Sequence, residues 1–75
     1  MKACVWTLAE QHEGKLKSVS FELLARGRSL ADKQRGKLSS ILIGPPLGEE
    51  SLQELIHRGA DEVILVEDEE LRYFC

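Results

Sequence analysis

Three short apolar runs, separated by helix-length amphipathic stretches, constrain this chain more than any other feature. Cys4–Ala9 (CVWTLA), residues 38–43 (LSSILI) and residues 63–66 (VILV) are largely apolar at consecutive positions rather than alternately polar. Such runs read as strands of a parallel sheet whose connections are helices. Between the first two lies a polar turn, residues 10–15 (EQHEGK), and then a helix that Ser18 or Ser20 can cap, with Glu22 near its positive end. Phe21, Leu23, Leu24, Leu30 and Ala31 fall broadly on one side, with Gly27 on the same stripe. A glycine inside a helix costs about 1 kcal/mol relative to alanine, so a close helix–sheet contact is expected there. Gly36 is the expected stop.

Residues 44–48 (GPPLG) break the second run, since two prolines cannot continue a central strand. A second helix is expected over residues 49–58, with Leu52, Leu55 and Ile56 at the i, i+3, i+4 spacing of one buried face and Gly59 at its C-terminal cap. The order strand–helix–strand–helix–strand predicts an α/β fold with a three-stranded parallel sheet in spatial order 3-2-1. Right-handed crossovers running in one direction would put both helices on one face. After the third strand, Asp68 is a good cap and Leu71, Phe74 and Cys75 begin an i, i+3, i+4 stripe, so a third crossover helix is expected from about Asp68. Residues 1–75 thus read as the N-terminal part of one α/β domain, incomplete as a domain.

Energetics point the same way. One parity of each strand faces away from the two helices. Leaving even a set such as Val5, Leu42, Ile64 and Val66 in water forgoes ~6–12 kcal/mol at ~1.5–3 kcal/mol per side chain. That rivals the whole stability of a small domain, ~5–15 kcal/mol. A cover is expected from more chain or from a partner.

Composition excludes several classes. A net charge of −3 argues against nucleic acid as a partner. Lys15, Lys17, Arg26, Arg28, Lys33, Arg35 and Lys37 gather around the first helix without interleaved aromatics, the pattern of a solvated helix face. No apolar run approaches the ~20 residues that span a bilayer, so no membrane association is expected. Two cysteines at opposite ends, Cys4 and Cys75, make no disulfide scaffold, and a reducing cytoplasm is the simplest setting.

Residues 5–24 (VWTLAEQHEGKLKSVSFELL) resemble the opening of electron transfer flavoprotein alpha subunits, where a V-x-x-x-A-E strand end precedes a polar turn, G-K-L, and a helix beginning V-S-x-E-L-L. Leu42-Ile43-Gly44, Leu55-Ile56, Gly59-Ala60-Asp61-Glu62-Val63 and Val66-Glu67-Asp68 match that subunit's next units in order. The resemblance implies a Rossmann-like domain of the adenine-nucleotide alpha-hydrolase kind, in a heterodimer with the beta subunit. It implies FAD for the complete protein, held mainly by a C-terminal domain absent from these residues, and AMP or a second FAD on the beta subunit. No flavin-binding motif residue carries over to a position here. The implied role is scaffold and subunit interface in an electron carrier, not an enzyme. Its partners would be the beta subunit and the rest of the alpha subunit. The competing readings are an independent nucleotide-binding protein of the universal-stress type and a self-associating remnant.

Chemistry candidates are few, and no catalytic, cofactor-binding or metal residue is assigned. Neither a dinucleotide glycine motif nor a phosphate-loop lysine follows any strand. At the carboxyl edge, where open sheets bind ligands, two of three loops are acidic: residues 10–13 and 67–70. The 44–48 loop could approach a ligand only through bare backbone. His12 and Glu13 lack a third orienting group and read as a solvated turn. His57, beside Arg58, suits a helix C-terminus. Cys4, Cys75, His12 and His57 lack zinc-ligand spacing. Cys4 is expected to be a buried small hydrophobe. Trp6 is expected in core or interface packing.

Overall fold

A computed structural model describes residues 4–45, 47–67 and 70–75. In chain order these form β1 (Cys4–Ala9), β2 (Gln11–His12), β3 (Lys15–Leu16), α1 (Ser18–Lys33), β4 (Lys37–Ile43), α2 (Glu49–His57), β5 (Glu62–Glu67) and β6 (Glu70–Phe74). The main sheet runs β1-β4-β5-β6, with β1, β4 and β5 mutually parallel and β6 antiparallel to β5. β2 and β3 make a separate two-residue-loop hairpin, and Glu13 and Gly14 at its tip both have positive φ (51° and 79°). That backbone matches the twist of flanking strands.

Both helices pack on one face. Leu24 and Ala31 from α1, Leu52 and Leu55 from α2, and Leu38, Leu42, Val63 and Leu65 from the strands form a single buried cluster. The Cα envelope is 34 × 25 × 16 Å, the thickness of one sheet and one helix layer. The buried stripe of α1 is Ser20, Leu24, Gly27 and Ala31, the i, i+4, i+7, i+11 spacing of one helix face. Leu23 and Leu30 lie outside it, 38% and 47% exposed, contrary to the sequence expectation. Gly27 is where helix and sheet meet most closely. A Cβ there would lie 2.5 Å from Thr7 Cγ2 and 3.0 Å from Leu38 Cδ1, so only glycine allows this approach.

The ends of the helices are set by backbone rather than side-chain caps. Neither Ser18 nor Ser20 caps α1. Its N-cap is Lys17, with no side-chain bond, and its first turn holds no acid. Ser20 is buried and clamps the end of β1 instead: its Oγ accepts from Glu10 N at 2.7 Å and donates to Glu10 O at 3.0 Å. Arg35, not Gly36, takes the left-handed turn (φ 53°) that ends α1, with Arg35 N donating to Asp32 O and Gly36 N to Ala31 O. α2 ends the same way at Gly59, which donates to Ile56 O while Ala60 N donates to Leu55 O.

The expected third crossover helix is overturned. Asp68 and Glu69, its proposed cap and first turn, lie outside the described residues, and residues 70–74 form strand β6. Leu71 and Tyr73 alternate with Arg72 and Phe74, and that period-2 pattern serves a strand. Pairing satisfies the β5 edge, whose backbone groups would otherwise lack partners. Phe74, opposite Val63, then packs against the core. The sheet is therefore four-stranded and mixed rather than three-stranded and parallel.

Candidate functional site

Strand parity sorts every side chain of the sheet. Cα partners in register share a face, so Val5, Thr7 and Ala9 lie with Leu38, Ser40 and Leu42 and with Val63 and Leu65 beneath the helices. The other parity carries Cys4, Trp6 and Leu8 on β1, Lys37, Ser39, Ile41 and Ile43 on β4, Glu62, Ile64 and Val66 on β5, and Leu71 and Tyr73 on β6. No described helix covers that face. Trp6 is 66% exposed, Tyr73 63%, Ile43 59%, Leu71 57% and Leu8 44%. The four residues expected to share an uncovered face are split by the register. Ile64 and Val66 belong to the open face, whereas Val5 and Leu42 belong to the covered one.

The open face is laid out in rows. Leu8, Ile41, Ile64 and Tyr73 sit side by side across the four strands. Ile43, Val66 and Leu71 form the next row toward the carboxyl edge. Toward the amino edge come Trp6, Ser39 and Glu62, then Cys4 and Lys37. Only this last part is polar, and it is internally satisfied. Ser39 Oγ donates to Glu62 Oε1 at 2.8 Å, and Lys37 Nζ lies 3.1 Å from Glu62 Oε2. The Ser39 hydrogen bond and then the Lys37 ammonium hold the Glu62 carboxyl below its usual range, while Glu62 raises Lys37. The molecule exposes 5305 Å², against about 4,600 Å² for a compact monomer of its mass. The surplus, about 700 Å², is a whole-chain total to which the exposed Trp6, Leu8, Ile43, Leu71 and Tyr73 contribute.

A second network ties the covered side together. Asp61 Oδ2 accepts from Leu38 N at 2.8 Å and from Arg28 Nη1 at 3.1 Å, and Asp61 N donates to Leu38 O at 2.8 Å. Arg28 also donates to Gly59 O at 2.8 Å and to Asp32 Oδ1 at 3.0 Å. The Leu38 amide and then Arg28 lower the Asp61 pKa, and Asp61 raises that of Arg28. Arg28, expected among solvated basic residues, is therefore a tie between α1 and the α2–β5 connection. Nothing in its spacing from Asp61 along the chain signals this.

The chemistry candidates do not converge on one centre. His12 Nε2 lies 3.6 Å from Glu13 Oε1 at the exposed hairpin tip, both side chains at least 75% exposed. His57 shares a shallow cleft of ≈ 260 Å³ with Gln53, Ile56, Phe74 and Cys75. Cys4 is exposed, not buried, because its parity puts it on the open face of an edge strand. The 44–48 loop is fastened down: Gln11 Nε2 donates to Pro45 O at 2.8 Å, and Leu47 is buried. Pro46 lies outside the described residues. Beside this loop a cleft of ≈ 230 Å³ is lined by Leu8, Ala9, Glu10, Gln11, Lys17 and Ile43. Its one cation, Lys17, lies 3.6 Å from Glu10, which opposes binding of an anion. Among the described residues no group of three His, Cys, Asp or Glu side chains could hold a metal, and no helix is long and apolar enough to cross a membrane.

The electron transfer flavoprotein domain matches residues 5–74 of the chain. Protein FixB from Clostridium saccharobutylicum is 43% identical over 70 residues, 93% of this chain and 20% of that protein. The acryloyl-CoA reductase electron transfer subunit beta from Anaerotignum propionicum is 44% identical over 70 residues, 93% of this chain and 19% of that protein. Electron transfer flavoprotein subunit alpha from Megasphaera elsdenii is 43% identical over 70 residues, again 93% of this chain and 20% of the relative. The chain spans about one fifth of the curated relatives it matches. No solved structure matches it.

Proposed function

Because the chain belongs to the electron transfer flavoprotein family, we propose that it is the N-terminal scaffold and subunit-interface segment of an alpha subunit. The complete protein would carry electrons between flavin dehydrogenases and a downstream acceptor, in the cytoplasm, with FAD held outside these residues and a beta subunit as partner. The fold would be the Rossmann-like, alpha-hydrolase type implied by the resemblance. The open apolar face carries this reading: a sheet finished on one side and bare on the other is built to be assembled. Nucleotide binding by the segment itself finds no support in the geometry. Among the described residues its carboxyl edge carries Glu10, Glu67 and Glu70, and the Lys17 that approaches it is paired, which disfavours a phosphate.

A graft tests the assignment. Residues 5–74 replace the matching fifth of the Megasphaera elsdenii subunit alpha, and flavin content and electron transfer are measured with that protein's own partner subunit. The expected product is a flavin-loaded complex with activity near that of the parent. A chimera that folds but neither retains flavin nor assembles would sink the reading. The isolated chain is expected to bind neither FAD nor AMP tighter than about 10 μM, or ~7 kcal/mol, by calorimetry. Tighter saturable binding would favour the nucleotide-binding alternative.

A further inference from the structure

We propose that the chain by itself pairs with a second copy through the open sheet face, the two sheets stacked about a two-fold axis that runs along the strands; this uses the contact-surface reading of that face but not the flavoprotein assignment. Area and layout together select this occupant. Trp6, Leu8, Ile43, Leu71 and Tyr73 leave on the order of 600 Å² of side chain in water, taking roughly 200 Å² for a large side chain and the exposures above. Two copies closing on each other would therefore bury at most about 1,200 Å², the lower bound for a specific, stable interface, so the pairing is expected to be of modest affinity.

The rows are self-complementary about that axis. Placed midway between β4 and β5, it exchanges β4 with β5 and β1 with β6. Ile41 then lies over the partner's Ile64, Ile43 over the partner's Val66, and Leu8 over the partner's Tyr73, each residue taken from the same level of the register or from its own row. A flat aromatic meets a smaller aliphatic at both margins, while branched aliphatics meet in the centre. Stacked sheets need about 10 Å between them, the depth such side chains fill. An axis across the strands would instead set the Ile43, Val66 and Leu71 row against Lys37, Ser39 and Glu62. Burying that ion pair under apolar groups is costly, whereas the arrangement along the strands sets the polar end of one copy against the polar end of the other.

Sedimentation velocity of the 75-residue chain from about 1 μM to about 1 mM, the span of modest affinities, is the direct test. The mass is expected to rise from 8.4 kDa to twice that, and Trp6 emission to shift blue with the same midpoint. Ile43→Lys is expected to weaken pairing at least ~100-fold, with the circular dichroism of the monomer unchanged, since a lone charge would be set against the partner's Val66. Tyr73→Lys, on the exposed edge strand, is the second variant should the first fail to fold. Leu30→Lys, on the water-facing side of α1, is expected to leave the dissociation constant within about twofold. A chain that stays monomeric throughout, or one weakened equally by Leu30→Lys, overturns the pairing. If that monomer nonetheless assembles with the rest of a flavoprotein subunit, the pairing fails and the scaffold reading stands. A dimer alongside a failed graft supports the pairing and removes the scaffold reading.

Discussion

The two faces of the sheet draw on the same three apolar runs, with β6 added, yet only one of them is covered by helices. Beneath α1 the sheet presents Val5, Thr7, Ala9 and Ser40, and the helix answers with Gly27 and Ala31. Around Gly27 the small groups let helix and strand close to contact, with Leu24, Leu38 and Leu42 packed beside them. The open face presents Trp6, Leu8, Ile41, Ile43, Leu71 and Tyr73. Ile64 is nonetheless 8% exposed among its neighbours there, so the exposure falls on Trp6, Leu8, Ile43, Leu71 and Tyr73. The difference shows that hydrophobicity alone does not bury a face.

Adjacent residues give the largest contrast. Leu42 is 1% exposed beneath the helices, whereas its neighbour Ile43 is 59% exposed on the open side. Leu42→Lys is expected to cost on the order of 4–5 kcal/mol or more, by burying an unpaired charge, which leaves so small a domain unfolded. Ile43→Lys is expected to leave the monomer's unfolding midpoint nearly unchanged. Urea titration of the two variants decides. Equal losses would mean that the open face is already packed in the monomer, and the contrast would fail.

Gly27→Ala probes the closeness of the covered side. In an exposed helix the change would gain about 1 kcal/mol. Here the added methyl meets the stiff, β-branched Thr7 and the Leu38 side chain, so a net loss of about 1–3 kcal/mol is expected from overpacking. A stabilised Gly27→Ala protein would mean that α1 rides farther from the sheet. Asp61→Asn should come next, at about 1–2 kcal/mol. It weakens charge-assisted bonds to Leu38 N and Arg28 while keeping the side-chain shape.

Much of this was legible in the sequence, and the failures share a cause. Apolar runs and helical spacing gave β1, β4, β5 and both helices to within a residue or two, and Gly27 announced its contact. At β6 the spacing of Leu71, Phe74 and Cys75 predicts a helix, but Leu71 and Tyr73 also alternate with Arg72 and Phe74 as a strand requires. The decision came from the unpaired edge of β5, which lies elsewhere in the chain. Val5 and Leu42 were set with Ile64 and Val66 because parity between strands depends on register, and register is a property of the pairing. Ser20 failed as a cap for a similar reason: the backbone of Glu10 competed for its hydroxyl. Arg28 and Asp61 are 33 residues apart, and no periodicity reaches that far. What the sequence did show of the candidate site was its apolar excess; which residues compose it required the register.

The smallest effect compares the carboxylate that serves each side. Asp61 ties the covered side, and Glu62 bonds to Ser39 and Lys37 on the open one; both have folded pKa values below their ordinary ranges. A depressed carboxylate adds stability that is fully present above its unfolded pKa, about 3.9 for Asp and 4.3 for Glu. That stability is lost as pH falls through the folded value. Unfolding free energy should therefore hold level above about pH 5 and decline below it. Asp61→Asn and Glu62→Gln should each flatten part of that decline. Glu62→Gln is expected to cost less than Asp61→Asn at neutral pH, since Ser39 can still donate to the amide oxygen and only the Lys37 attraction is lost. The two also separate by readout. Protonating Glu62 leaves Lys37 without its counter-charge on the open face, so acid should weaken self-association of the wild type and of Asp61→Asn alike. In Glu62→Gln that acid dependence should disappear, with pairing weaker at every pH. If Asp61→Asn instead removed the acid dependence of association, the two faces would be energetically coupled, and treating them as independent surfaces would be wrong.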